Sequence, residues 1–254
     1  MKVNPYLERI KAGPVKENSL EELSKLQYQH MLHVPFENLD VMHHVPIPLD
    51  VEVYYKKVVL NHRGGFCYEL NGLFHWLLQS LGFSCQLASA TINRPDGTWA
   101  RSGSHACTIV MLDQPYLVDV GFGDSARSPL SLTGEIHEDI SGTYRVKKVE
   151  THIYDVERQQ VGDDAWDTIY RLDTKPMNLK DFAAACVFNQ KSMHSPFTQK
   201  EIVTLATLEG RVTLSGNVLT ITRHGVKQQQ TISEEERPYV LEKYFQIGDS
   251  PLPR

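Results

Sequence analysis

The stretch "RGGFCYELNGLF", residues 63–74, places a single cysteine between a Gly-Gly pair and an apolar run with helical spacing. Leu70, Leu73, Phe74, Leu77, Leu78 and Leu81 recur at the intervals of one buried helix face, and Gly82 supplies a C-terminal stop. The spacing predicts a helix whose first turn holds Cys67. A buried structural thiol needs no flexible turn ahead of it. Two glycines bring the chain sharply into the helix and leave room for a substrate above the sulfur. The unpaired N–H groups and dipole of a first turn favour an anion. They predict a lowered thiol pKa and a raised thiolate fraction. The same N–H groups suit an oxyanion formed on a substrate carbonyl.

A nucleophile needs a base, and the base needs an orienting group. Downstream, "SGSHACTIVML" sets His105 where a loop enters a β-rich run, and "YLVDVGFGD" sets Asp119 in the next run, just before Gly121 and Gly123. "DQP" (113–115) reads as the tight turn between them. A hairpin closed there carries His105 and Asp119 toward one open end. A buried Asp119 beside His105 would fix the imidazole tautomer and favour the imidazolium.

Three regions are expected. Residues 1–83 read as helices, with Asn4-Pro5, Ser19-Glu22 and Asp50 as start signals and Pro35 as a stop. Residues 84–173 switch to short β-rich runs, which suggest a small barrel or sandwich. Residues 174–254 mix a helix capped by Asn178, several hairpin-like strands, and a last helix opened by Ser233 and Glu236. The 254 residues are 41% hydrophobic and 22% charged, enough for a sizeable core. A net charge of -5 argues against general nucleic-acid binding. No apolar run approaches the roughly 18 residues of a membrane span, and the N-terminus lacks a signal-peptide pattern. Cys67, Cys85, Cys107 and Cys186 show no metal-ligand spacing and read as free thiols of a cytoplasmic protein.

Taken in order, "RGGFCYE" (63–69), His105 and "VDVGFG" (118–123) resemble the arylamine N-acetyltransferases, and "VPFENL" (34–39) and "FNQKSMHSPF" (188–197) are similar to further segments of that family. The resemblance spans nearly the whole chain. It implies an α+β fold: an N-terminal helical bundle carrying the nucleophile, a central β-barrel carrying the histidine and aspartate, and a C-terminal α/β lid. The Cys-His-Asp arrangement is cysteine-protease-like. It implies ping-pong transfer of an acetyl group from acetyl-CoA, a co-substrate, to an arylamine, arylhydrazine or N-arylhydroxylamine, with no metal. Cys67 matches the acetyl-accepting cysteine, and His105 and Asp119 match its triad partners, with the cysteine and histidine held as a thiolate–imidazolium pair. Ser102 and Gly103 align with a stretch that contacts CoA.

Other residues carry two readings each. Phe36, Phe66, Phe122 and Phe197 suit an apolar, water-excluding substrate wall, or the core. Gly121 and Gly123 suit a CoA phosphate at their N–H groups, or a tight turn. Arg101, Arg127 and Lys191 suit phosphate charge, or solvated surface. Arg63, with Glu69 or Glu37 as partner, is expected to brace the cysteine turn. His194 reads as surface. Partners are expected to be small molecules, not nucleic acid or membrane. Rival functions on the same residues are an amide synthase of the same scaffold, a cysteine hydrolase or transglutaminase-like enzyme, and a non-catalytic binding module.

Overall fold

The computed structural model describes residues 1–248 except 161 and 163. Its N-terminal helices begin largely where side chains can serve orphan N–H groups. Helix α1 (Val3–Arg9) is not capped in this way: it starts behind Lys2 with no side-chain cap, two residues ahead of the expected cap Asn4. Helix α2 (Leu20–His33) opens on Ser19, whose Oγ accepts the Glu22 N–H at 3.3 Å, and it ends before Pro35. A two-residue strand β1 (Phe36–Glu37) and a single helical turn α3 (Leu39–Met42) follow. Helix α4 (Val51–Tyr55) is capped by Asp50, which accepts the Glu52 N–H at 2.8 Å, and it widens into a π-helical turn over Lys56–Leu60. Helix α5 (Cys67–Ser80) starts on the cysteine itself. Its first two turns are buried throughout, against a core that includes Tyr6, Ile10, Leu23, Leu26 and Tyr54.

The β-rich region forms one antiparallel sheet of β2 (Ser84–Ile92), β3 (His105–Met111), β4 (Pro115–Val118), β5 (Leu130–Ser131), β6 (His137–Asp139), β7 (Gly142–Glu150), β8 (Ile153–Gln159) and β9 (Asp167–Met177). The order β5-β4-β3-β2-β9-β8-β7-β6 curls until β5 meets β7, giving a nearly closed barrel. Alternate positions of these strands fill its interior with Ala88, Ile109, Leu117, Val146, Val156 and Leu172. The expected turn at 113–115 joins β3 to β4, pairing Thr108 with Val118. Asp119 therefore lies just past the end of β4 rather than within it.

After β9, a 3₁₀ turn (Leu179–Phe182) runs into α6 (Ala183–Lys191). Strands β10 (Ile202–Thr207), β11 (Gly210–Ser215), β12 (Val218–Arg223) and β13 (Val226–Thr231) and helix α7 (Arg237–Phe245) follow. Ser233 and Glu236 exchange the two hydrogen bonds of a capping box ahead of α7. The second sheet has the order β1-β10-β11-β12-β13, so a strand from the helical region forms its edge. Phe36 pairs with Thr204, and Glu37 also donates its N–H to the Gly65 carbonyl at 2.9 Å. The Gly-Gly turn before Cys67 is thereby tied to a sheet built from residues far along the chain. Among the described residues, no helix is long and apolar enough to cross a membrane.

Candidate active site

Cys67 occupies the first position of α5 and is only 3% exposed, yet it lines a cavity of about 160 Å³. His105, at the mouth of β3, lines the same cavity. The His105 Nε2 lies 2.8 Å from Asp119 Oδ2. Three further donors fix that carboxylate: the Tyr170 hydroxyl at 3.0 Å on Oδ2, and on Oδ1 the Asn71 amide at 2.8 Å and the Gly121 N–H at 3.0 Å. Burial raises the Asp119 carboxyl, but His105, with the Asn71 and Gly121 donors, outweighs it and holds the group below the usual carboxylate value. An ionised Asp119 requires Nε2 to carry the proton, which leaves Nδ1 as the acceptor nitrogen. The ring is clamped between Phe122, edge-on at 5.6 Å, and Tyr170 at 5.4 Å.

The thiol departs from the sequence expectation. Burial pushes the Cys67 thiol up, although the backbone at Ala106 and Tyr68 pulls the other way. The first-turn dipole is outweighed because the sulfur is almost wholly withdrawn from water. The thiol's near neighbours include the Ser104 carbonyl, 3.8 Å from Sγ.

Beneath the Gly-Gly turn lies a buried ionic cluster. Arg63 reaches Glu37 at 2.7 Å and Asp40 at 3.0 Å, while Lys57 reaches Asp40 at 2.7 Å and Glu69 at 2.9 Å. Of the two carboxylates expected for Arg63, Glu37 is its partner; Glu69 pairs with Lys57 and caps α5 by accepting the Phe66 N–H at 3.0 Å. With two cations against three carboxylates, burial raises the Glu69 carboxyl to about 7, Lys57 resisting and Glu37 reinforcing the shift.

The model of the N-acetyltransferase family matches residues 19–249. The chain is also 30% identical to human arylamine N-acetyltransferase 1, over 98% of its own length and 94% of that protein's. It belongs to the arylamine N-acetyltransferase family. Rat arylamine N-acetyltransferase 2 is 29% identical with the same coverage. Among solved structures, an arylamine N-acetyltransferase from Bacillus cereus, described by a unique Cys-His-Glu catalytic triad, superposes with a TM-score of 0.91 at 27% identity, covering 98% of this chain and 100% of that one. The Mycobacterium marinum arylamine N-acetyltransferase in complex with CoA gives 0.88 at 28% identity, with coverages of 97% and 93%. As a member of this arylamine N-acetyltransferase family, the chain is an acyltransferase.

The cavity gathers some predicted residues and leaves others out. Phe36, Phe122 and Phe197 all line it. Phe66 does not; it is fully buried core, stacked edge-on to Tyr68. Ser102 and Gly103 form an exposed-to-half-buried turn between Arg101 and Ser104, both of which border the cavity. Gly121 borders it too, but its N–H is spent on Asp119, and a Cβ there would lie 2.9 Å from Cys67 Cα; close approach, not an anion, explains this glycine. Gly123 packs instead against Phe36 and Thr204. Arg127 is withdrawn from solvent, donating to the Thr207 and Gly210 carbonyls, so it is not free for a phosphate. Lys191 and His194 are exposed. Residues given no role from the sequence are Asn71, Tyr170, Lys57, Asp40, and, within the quoted 188–197 segment, Phe188 and Asn189. Asn71 had a signal, standing one helical turn after Cys67 on the same face; Tyr170 had none. Among the described residues, no cluster of His, Cys, Asp and Glu could hold a metal ion.

Proposed function

We propose that Cys67, His105 and Asp119 form a catalytic triad that moves an acetyl group from acetyl-CoA to an arylamine, arylhydrazine or N-arylhydroxylamine by a ping-pong route. In the first half-reaction His105 Nδ1 takes the Cys67 proton as Sγ attacks the thioester carbonyl. CoA then leaves as a thiol, carrying that proton away. In the second, the amine attacks acetyl-Cys67, His105 accepts its proton, and the cysteine thiol is restored. Burial disfavours loss of the thiol proton to water. Transfer to His105 is another matter, because the ionised Asp119 stabilises the resulting imidazolium. The backbone at Tyr68 and Ala106, which lowers the thiol's pKa, favours the thiolate as it departs.

The observation that carries this reading is that Cys67 and His105 share one cavity while Asp119 binds the ring. Phe36, Phe122 and Phe197 give that cavity an apolar wall that seats an aromatic ring and excludes water from the acetyl-enzyme. Ser102 and Gly103 would meet the CoA arm at the rim. In this reading residues 1–83, 84–173 and 174–254 act as bundle, barrel and lid, and the four free thiols suit a cytoplasmic enzyme. Intact-mass spectrometry after exposure to acetyl-CoA tests it. A gain of about 42 Da mapped to the Cys67 peptide, discharged by an arylamine, is expected on covalent catalysis. Native-rate transfer by Cys67→Ala would overturn it.

A further inference from the structure

A second cleft, of about 180 Å³, opens between the barrel and the C-terminal sheet. Among the described residues it shares no wall residue with the cavity at Cys67. Three cations converge on it from three strands: Arg158 of β8, Arg211 of β11 and Lys227 of β13. Asp124 is the carboxylate among its described walls. Arg158 Nη1 donates to Asp124 Oδ2 at 3.0 Å, and Arg211 Nε donates to Oδ1 at 3.1 Å. One carboxylate therefore serves two guanidiniums whose side chains keep only 17% and 12% of their exposure. Arg211 Nη1 turns to the neutral Thr204 hydroxyl at 3.1 Å, and its Nη2 is buried with no hydrogen-bond acceptor.

That arrangement leaves positive charge under-compensated. Burial lowers the Arg211 pKa, Asp124 opposes the shift, and the neighbouring Arg127 adds to it. Desolvated cations outnumbering carboxylates are costly without a further anion. Guanidinium forks offer paired N–H donors that match the oxygens of phosphate, and Lys227 adds an exposed point charge at the rim.

We propose that this cleft is a phosphate-binding site formed by Arg158, Arg211 and Lys227. Two sources fit. Phe122 faces the Cys67 cavity and Asp124 faces the cleft, and two residues of chain span at most about 7 Å. An acetyl-CoA whose thioester enters the cavity could thus lay a phosphate here, a source that rests on the acetyl-transfer reading. A separate phosphorylated small molecule needs no such premise.

Calorimetric titration of the full chain with inorganic phosphate and with adenosine 3′,5′-bisphosphate tests the site. The wild type is expected to bind, more weakly as salt rises. Lys227→Glu, at an exposed position that leaves the fold intact, and Arg158→Gln should each weaken binding about tenfold. No binding by the wild type, or binding by both variants as tight as that of the wild type, overturns the proposal. A second readout separates the sources: the KM for acetyl-CoA divided by that for p-nitrophenyl acetate, a donor with no phosphate. A raised ratio alongside lost phosphate binding assigns the donor's own phosphate. An unchanged ratio with lost phosphate binding assigns a separate ligand. Phosphate binding by a chain that never acylates Cys67 would sink the acetyl-transfer reading and leave the cleft standing.

Discussion

Gly121 shows how little space separates the two halves of the site. A Cβ at that position would stand 2.6 Å from the Asn71 amide and 3.0 Å from the Cys67 carbonyl, and neither the start of α5 nor the Asn71–Asp119 bond can yield freely. Gly121→Ala should therefore push the Asp119–Gly123 segment away from Cys67. A displacement near 1 Å between reacting groups costs about 10²-fold in rate, so kcat/KM for acetyl transfer should fall by that order. The check is steady-state kinetics beside a thermal melt: a loss of rate far beyond any loss of Tm marks displacement, and an unchanged rate would refute it. Asp119 is a matter of charge rather than space. Asp119→Asn keeps the shape, but its amide cannot hold His105 in the same tautomer or favour the imidazolium. Transfer should drop about 10²–10⁴-fold, while iodoacetamide labelling of Cys67 slows in parallel; unchanged labelling would separate Asp119 from the thiol's reactivity.

At the scale of elements, α5 depends on the ionic cluster under its N-terminus. Arg63→Met removes one of two cations and leaves Glu37 and Asp40 buried against Lys57 alone. Breaking a buried pair from one side costs about 3–5 kcal/mol. Urea unfolding should report a loss of that size, with a fall in activity that follows from a loosened Cys67 turn; an unchanged midpoint would show the cluster to be idle. Local signals made much of this region readable in advance. Ser19, Asp50, Pro35 and the Ser233–Glu236 box act on neighbours two to four residues away, and Leu70–Leu81 announces its own face. The pairing of Phe36–Glu37 with Thr204–Val203 was not readable, because a two-residue strand has no period to detect and its partner lies more than 160 positions along the chain. Tyr170 was hidden for the same reason: its hydroxyl reaches Asp119 only because β9 pairs with β2 across the barrel. Cys67, His105 and Asp119 stood out because glycines flank Cys67 and Asp119 and a hairpin turn relates His105 to Asp119. The direction of the thiol's pKa did not, since burial is a property of the packed whole.

For the whole molecule, buried histidines set the response to acid. His30 in α2 is fully buried, its Nδ1 3.1 Å from the Tyr6 hydroxyl, its ring edge-on to Phe74, and its Nε2 without a hydrogen-bond partner. Burial, with Arg9 and His33 nearby, lowers its pKa to about 3; burial alone lowers half-buried His75 to about 4. Both values lie below the unfolded value of about 6.5. Between those limits the unfolded chain binds protons that the native chain refuses, so the stability these groups supply is complete above pH 6.5 and drains away as pH falls. Glu69 acts in the opposite sense. Its folded pKa of about 7 exceeds the unfolded value, so acidification from pH 7 toward about 4.5 favours the native state at that one group. Two histidines against one glutamate leave a net loss of roughly a kcal/mol per pH unit between about pH 6 and 5. Chemical denaturation across that range should show unfolding free energy falling with acid. His30→Gln removes the larger of the two histidine shifts, so its curve should be flatter than that of the wild type, whatever its stability at pH 7. A variant curve parallel to the wild type would mean that His30 takes its proton in the folded chain, and that the packing of α2 against α5 tolerates a charge.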